Sequence, residues 1–337
     1  MRVNTPKRLT IYDLAKLAGS SPSTVSAVLN GTWQRRRISE KLATRILTLA
    51  EKEGFSLNMQ ARALRSERSG IIGMIVPMYD NRYFSAIAQH FETEARKRGL
   101  FAIVSCTNRD PAQEQAAAQM MLSYRVEKLV CTGTTDPDSI AEMCRAHGVD
   151  TLNLDLPGEL APSVISANRQ GAHALTDAII KRLDDAGNKG KPILFIGGRS
   201  SDHNTRERIA GFEDALRAHD LVASPSDILP CGYAGEKAQA ALEEYVSTRG
   251  ALPAAMFVNS TISLEGIGSW FHQSGHQMDE VIFGCFDWDP LVSVFSPRLV
   301  MARQNVPEMI AELFALIGAP SPDPKTFIEI PPEIVGL

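Results

Sequence analysis

Carboxylate, guanidinium, amide and aromatic side chains recur just past the ends of the apolar runs that dominate this chain after residue 69. Tyr79, Asp80, Tyr83 and Phe84 follow one run, and Asn108 with Arg109 follow the next. Arg206 and Arg208 follow a third, and Asn259-Ser260 and Asp287-Trp288-Asp289 follow two more. Charged and amide groups of this kind hold sugar hydroxyls with paired hydrogen bonds, while an aromatic face covers the apolar face of the ring. Taken singly, each reads equally well as a helix cap or a surface residue. Their repetition at the same end of several strands makes the set stronger than its members. A second set lies near the start of the chain, where Ser21, Pro22, Ser23, Ser26 and Ala27 are expected to face outward from a short helix. Short hydroxyls on such a face suit phosphates and groove-edge contacts.

The elements that must position the second set are two helices joined by a tight turn. Thr10 is a good N-cap with Asp13 three residues on, and Ile11, Leu14, Ala15 and Ala18 share one face before Gly19 ends the helix. Ser21-Pro22 starts the next helix, with Val25, Val28 and Leu29 as its buried stripe and Asn30-Gly31 as its close. Two helices joined this tightly can aim one of them at a DNA major groove; a helical hairpin with a polar face is the plainer alternative. Arg35-Arg36-Arg37 then occupies a loop suited to phosphates. Ser39 caps a third helix over Glu40–Lys52, and Phe55 plugs the small core. The stretch Asn58–Ser66 reads either as a hinge helix of about two turns, too short to stand alone in water, or as a plain linker.

From residue 69 onward strands alternate with amphipathic helices. Strands are expected at Gly70–Pro77, Phe101–Cys106, Lys128–Thr132, Thr151–Leu154, Val164–Ala167, Ile193–Gly197, Ala255–Asn259 and Val281–Phe286. Between them fall helices at Tyr83–Arg98, Asp110–Tyr124, Gln170–Leu183, Glu207–His219, Gly235–Val246 and Ile262–Gln273. This alternation implies parallel sheets with crossovers, and the length implies two lobes. Ligands of such folds sit beyond the carboxyl ends of the strands or between lobes, where the polar set is placed.

Charge separates the two parts. Residues 1–69 carry 13 Lys/Arg against 5 Asp/Glu, a net +8, whereas the remainder carries 22 against 34, a net −12. A basic module on an acidic body fits a polyanion partner for the module, or a solvated basic face with no partner. The five cysteines are odd in number and show no paired spacing, as expected of reduced thiols. No signal peptide and no membrane-length apolar run stand in the sequence, so a cytoplasmic protein is expected. Neither a Gly-x4-Gly-Lys-Ser/Thr loop, nor Gly-x-Gly-x-x-Gly, nor Gly-x-Ser-x-Gly occurs. Gly197-Gly198-Arg199 reads as a turn more than an anion site, and His272 with His276 lacks the adjacent Glu of a zinc helix. Nothing positive argues for an enzyme, a metal or a cofactor.

Leu9–Gly31, Asn58–Ser66, Arg208-Ile-Ala-Gly-Phe212 and Gly284-Cys-Phe-Asp-Trp288 together resemble the LacI/GalR family of sugar-responsive transcription repressors, over nearly the whole chain. The loop Asn30–Ser39, with Tyr79–Gly99 and Asp287–Leu316, is similar to the fructose/sucrose repressor (catabolite repressor/activator) branch. The resemblance implies an α/β protein: a three-helix helix-turn-helix domain at 1–57, a hinge helix and linker at 58–69, and a two-lobed periplasmic-binding-protein-like body at 70–337. Lobe one is expected at about 70–167 and 298–320, and lobe two at about 168–297. It further implies a homodimer on a pseudo-palindromic double-stranded operator. DNA contacts are expected from Thr10, Ser21, Pro22, Ser23, Thr24, Ala27, Arg37, Asn58, Ala61 and Leu64. Among these, Pro22, Ser23 and Ala27 take the base-reading positions and Leu64 the minor-groove lever. A sugar or sugar phosphate is expected to meet Asp80, Tyr83, Phe84, Arg109, Asn168, Arg208, Asn259, Asp287 and Trp288. Two departures from the family pattern stand out: Ala27 replaces a longer polar side chain, shifting specificity toward the hinge and DNA shape, and Ser260 replaces a frequent Asp. The rival expectation is a two-lobed sugar receptor without gene-regulatory output.

Overall fold

Two different hydrophobic periods build two units, which meet in sequence between Ser69 and Gly70. The computed structural model describes residues 9–29, 31–53, 55, 69–295, 299–320 and 322–336. The expected DNA contacts Asn58, Ala61 and Leu64 lie outside the described residues.

In the first unit, α1 (Ile11–Leu17), α2 (Pro22–Leu29) and α3 (Glu40–Lys52) close around Leu14, Ala15, Ala18, Val25, Val28, Ala43, Ile46 and Ala50, with Phe55 packed against them. The Thr10 capping box forms in full: the Thr10 N–H and hydroxyl both donate to Asp13, and the Asp13 N–H donates back to the Thr10 hydroxyl. Ser39 caps α3 through the Leu42 N–H. One expectation changes here. Ala27 does not face outward; it is buried, at 4% exposure. The loop after α2 folds back over it, with the Thr32 N–H and hydroxyl both donating to the Ala27 carbonyl.

In the body, lobe one begins with β1 (Ile71–Val76), α4 (Arg82–Lys97), β2 (Phe101–Cys106), α5 (Pro111–Ser123), β3 (Lys128–Thr132), α6 (Pro137–Ala146), β4 (Asp150–Leu154) and β5 (Ser163–Ser166). Lobe two follows with α7 (Asn168–Asp185), β6 (Ile193–Ile196), β7 (Gly198–Arg199), α8 (His203–Ala218), β8 (Ile228–Leu229), β9 (Cys231–Gly232), α9 (Gly235–Arg249), β10 (Ala255–Val258), α10 (Thr261–Ser274), β11 (Ile282–Phe286), α11 (Pro290–Phe295) and β12 (Leu299–Arg303). The chain then returns to lobe one for α12 (Val306–Gly318) and β13 (Phe327–Ile330), and ends in lobe two with β14 (Glu333–Val335). Each lobe holds a six-stranded sheet, ordered β13-β5-β4-β3-β1-β2 and β14-β12-β11-β10-β6-β8. All pairings in these two sheets are parallel except β12 with β14. Helices cover both faces, which explains why β1 and β11 read as continuous apolar runs instead of alternating ones.

The lobe limits differ from those expected. Residues 299–303 were assigned to lobe one, but they pair with β11 in the second sheet. Residues 327–330, left out of lobe one, pair with β5 there. The chain therefore passes between lobes three times, near residues 167, 304 and 331. Two helices also begin earlier than their apolar pattern indicates: α7 starts at Asn168 and α8 at His203. In those first turns Asn168, Asn204 and Thr205 are polar yet buried, while Arg169, Gln170 and Arg206 are exposed. Gly211 matters for the same region. A Cβ there would strike the Arg169 carbonyl, so only glycine lets α8 lie this close to α7.

Candidate functional site: the inter-lobe cleft and the helix-turn-helix face

At the carboxyl ends of β2, β4 and β11 the backbone turns through the left-handed region, at Asn108 (φ 51°), Arg109 (φ 56°), Asp155 (φ 73°) and Asp287 (φ 75°). Such conformations cost of order 1–3 kcal/mol each and gather where side chains must be aimed. Three of these four residues put charges between the lobes.

Asp155 is the hub. Its Oδ1 accepts hydrogen bonds from the Tyr83 hydroxyl at 3.1 Å and, across the lobes, from Asn204 Nδ2 at 3.2 Å. Asn168 Nδ2 donates to Asn204 Oδ1 at 3.0 Å and to the Ser166 carbonyl at 2.9 Å. Arg208 Nε donates to Asn168 Oδ1 at 2.8 Å and its Nη1 to the Asn259 carbonyl at 2.7 Å. The Arg208 guanidinium lies 3.6 Å from the Phe286 ring centre, a cation–π contact in a desolvated place. Gln304 links the strand ends, donating to Asp287 and accepting from the Ser166 hydroxyl. Arg109 completes the set, with its guanidinium 4.8 Å from the Tyr233 ring centre and 5.6 Å from that of Phe84. Its Nε and Nη1 are buried and make no hydrogen bond among the described residues, and Asn259 Oδ1 is in the same position.

Burial sets the electrostatics. It pushes the Asp155 carboxyl up to about 6, an effect that the nearby Arg109 and Arg208 charges moderate. Asp287 is raised for the same reason, against the opposing pull of Arg208, the Gln304 hydrogen bond and Arg109. Burial first, then the two carboxylates, pushes Tyr83 well above its ordinary value. Tyr83 therefore stays a hydroxyl donor throughout the physiological range.

Of the expected cleft residues, the structure brings Tyr83, Phe84, Arg109, Asn168, Arg208, Asn259 and Asp287 together. Two stand apart. Asp80 is exposed and is felt electrostatically by Glu265. Trp288 packs on the second-lobe core, with the Arg303 guanidinium 5.3 Å from its ring centre. Arg206 donates to the Ser201 carbonyl, and Ser260 caps α10 through Ser263. Sequence reasoning missed Asp155, Ser166, Asn204, Tyr233 and Gln304. Asp155 directly follows a recognised strand and was within reach; Tyr233 lies in a short loop with no signal.

On the first unit, Ile11, Tyr12, Pro22, Ser23, Ser26, Ala27, Thr32 and Arg36 line a recess of about 280 Å³. The Ser21 hydroxyl accepts from the Thr24 N–H at 3.1 Å and shares hydrogen bonds with the Ser23 and Thr24 hydroxyls. Ser21 and Thr10 are thus engaged as caps at helix N-termini, where the partial positive charge suits a phosphate. Arg35, Arg36 and Arg37 are exposed and form no ion pair among the described residues. Tyr12, at 65% exposure, was not anticipated on this face. No group of His, Cys, Asp or Glu among the described residues is placed to hold a metal ion, and no helix among them is long and apolar enough to cross a membrane.

Comparison with known proteins gives this geometry a context. Residues 10–58 match the family model for bacterial regulatory proteins of the lacI family, and residues 72–291 match the periplasmic binding protein domain. The ribitol operon repressor of Klebsiella aerogenes is 53% identical over 193 residues, which is 57% of this chain and 72% of that protein. The fructose operon regulatory protein of Vibrio cholerae is 28% identical over 96% of this chain and 98% of its own length. Among solved structures, the lac repressor dimer bound to operator superposes with a TM-score of 0.79 at 22% identity, covering 98% of both chains. That likeness confirms the two-lobed α/β fold. These relatives are DNA-binding regulators and not enzymes. The chain belongs to the LacI family of bacterial regulatory proteins, a helix-turn-helix unit joined to a periplasmic-binding-protein body.

Proposed function

We propose that the protein is a repressor of a carbohydrate- or polyol-utilisation operon, working in the cytoplasm as a homodimer on a pseudo-palindromic operator. Its effector is a sugar, or a sugar derivative, held in the cleft by Arg109, Asn168, Arg208, Asn259 and Asp287, with Tyr83 and Phe84 as walls. The observation that carries this reading is the buried polar network joining the two lobes, which still holds Arg109 donors and an Asn259 acceptor without partners. Buried polar groups are nearly always paired in a stable protein, and a ligand rich in hydroxyls pairs both kinds at once.

Control follows from where the network lies. Asn204–Asp155, Gln304–Ser166, Asn81–Thr261 and the Arg82–Asp289 ion pair all bridge the lobes. A ligand inserted among them changes the free energy of one lobe arrangement relative to another. It shifts the population only in so far as it binds the two unequally. The response reaches DNA through the segment holding Asn58, Ala61 and Leu64.

The test is operator binding by the full chain in gel-shift and bending assays, with and without effector. Replacing Leu64 with Ser should weaken specific binding and abolish the bend; unchanged affinity and bend would sink the role given to that segment. Thermal-shift screening of ketoses, pentitols and disaccharides, with their phosphates, should identify a ligand that raises the melting temperature. The same ligand should alter operator affinity.

A further inference from the structure

We infer that the cleft selects an uncharged polyol or sugar and rejects its phosphate ester, a conclusion that rests on the cleft being the effector site. Charge balance is the first ground. The charged groups of the network are two guanidiniums, buried Arg208 and half-buried Arg109, and two buried carboxylates, Asp155 and Asp287. They sum to zero. A phosphate monoester brings about −1.5 to −2 charge at neutral pH, and among the described residues Arg109 and Arg208 are the only cations acting on the two carboxylates. A buried charge without a partner is strongly unfavourable.

Arg208, the more deeply placed cation, is already committed. Its Nε serves Asn168, its Nη1 serves the Asn259 carbonyl, and its face is pressed on Phe286. With Nε spent on Asn168, the side-on fork of Nε and Nη2 is closed to a phosphate. Of the helix N-termini that could serve instead, α8 begins at the Asp202 carboxylate, which repels an anion, α7 and α9 carry no side-chain cap, and α4, α5 and α10 are capped by the chain itself. Asn81 accepts from the Tyr83 and Phe84 N–H groups at the start of α4. Asp110 does the same for Ala112 and Gln113 at α5, and Ser260 for Ser263 at α10.

What the site does offer matches hydroxyls. Arg109 Nε and Nη1 are donors, Asn259 Oδ1 is an acceptor, and both are buried without partners. The hydrogen bonds to Asp155 converge on Oδ1, which leaves Oδ2 to accept. A hydroxyl both donates and accepts, whereas the oxygens of a dianionic phosphate only accept. Phe84 and Tyr233, held together by the Arg109 guanidinium between them, supply an apolar wall for carbon atoms.

Calorimetric titration of the full chain at pH 7.5 with ribitol, fructose and sucrose, and with ribitol 5-phosphate, fructose 1-phosphate and inorganic phosphate, tests this directly. For whichever carbon skeleton binds, the uncharged form should bind at least about 100-fold more tightly than its ester, as a buried unpaired charge requires. Asp155→Asn keeps the Oδ1 acceptor but removes one negative charge, and should narrow that ratio by about tenfold or more. An ester that binds as tightly as its parent, or a ratio unmoved by Asp155→Asn, overturns the inference. If a sugar phosphate alone releases operator, the inference falls and the repressor reading stands. If a ligand binds the cleft in calorimetry yet leaves operator affinity unaltered, the repressor reading fails on its own.

Discussion

The helix-turn-helix face and the inter-lobe cleft use polar residues in opposite ways. On the first unit the described residues expected to meet DNA, Ala27 apart, lie at the surface of a module whose described core is apolar, and Arg35, Arg36 and Arg37 stay in water. Charges there cost little to fold and remain available to a polyanion. In the cleft, Arg208 is 3% exposed, Asp155 5% and Asp287 8%, and each is held by groups from distant parts of the chain. Charges buried this way must be balanced before any ligand arrives. The face can therefore attract; the cleft can discriminate.

That contrast can be broken at its strongest point with Arg208→Ala, which strands Asp155 and Asp287. The body should lose about 3–5 kcal/mol of stability in urea unfolding, together with the effector response. A loss no larger than that of a surface variant would mean that the cleft charges are not coupled. Next in size is a pH effect. The Asp155 carboxyl sits at about 6 in the folded protein, above its unfolded value of about 3.9. Folding therefore favours its protonated form, and the cost of burying the anion is absent at low pH and grows as pH rises from about 4 to 6. This amounts to about 3 kcal/mol at neutral pH, and Asp155→Asn should flatten that part of the stability curve. Effector affinity should run the other way, falling as pH drops through about 6 and the accepting carboxylate is lost.

Smaller effects sharpen the comparison. Thr10→Ala removes the capping box and should cost the first unit about 1 kcal/mol, weakening DNA binding while the calorimetry of effector binding stays unchanged. Arg82→Ala breaks an exposed pair with Asp289 at 3.0 Å and should change stability by less than about 1 kcal/mol. The small difference should vanish in high salt.

The same contrast explains what could be read from the sequence. The first unit was legible because its signals are local: Thr10 and Asp13, Ser21 and Pro22, and Ser39 lie within one turn of what they cap. Among the described residues only Ala27 was misplaced, and the loop that Thr32 anchors on its carbonyl has no periodicity. In the body, the eight main strands were visible as apolar runs, and residues just past them included Tyr83, Arg109, Arg208, Asn259 and Asp287. Strands 299–303, 327–330 and 333–335 were not recognised, so Gln304 had no strand end to mark it. Asn204 was missed because the first turn of α8 is polar, and apolar periodicity finds a helix only where its buried face is apolar. What tertiary packing across the lobes made functional was what the local pattern could not show.

The most direct measurement is fluorescence anisotropy of a labelled operator, selected from a random-sequence DNA library, titrated with the full chain in the absence and presence of an effector identified by calorimetry. The account predicts that the effector shifts operator affinity in the wild-type chain, and that Asp287→Asn abolishes the shift while operator affinity without effector is retained. An effector that binds the cleft but moves operator affinity equally in both chains, or in neither, would contradict it.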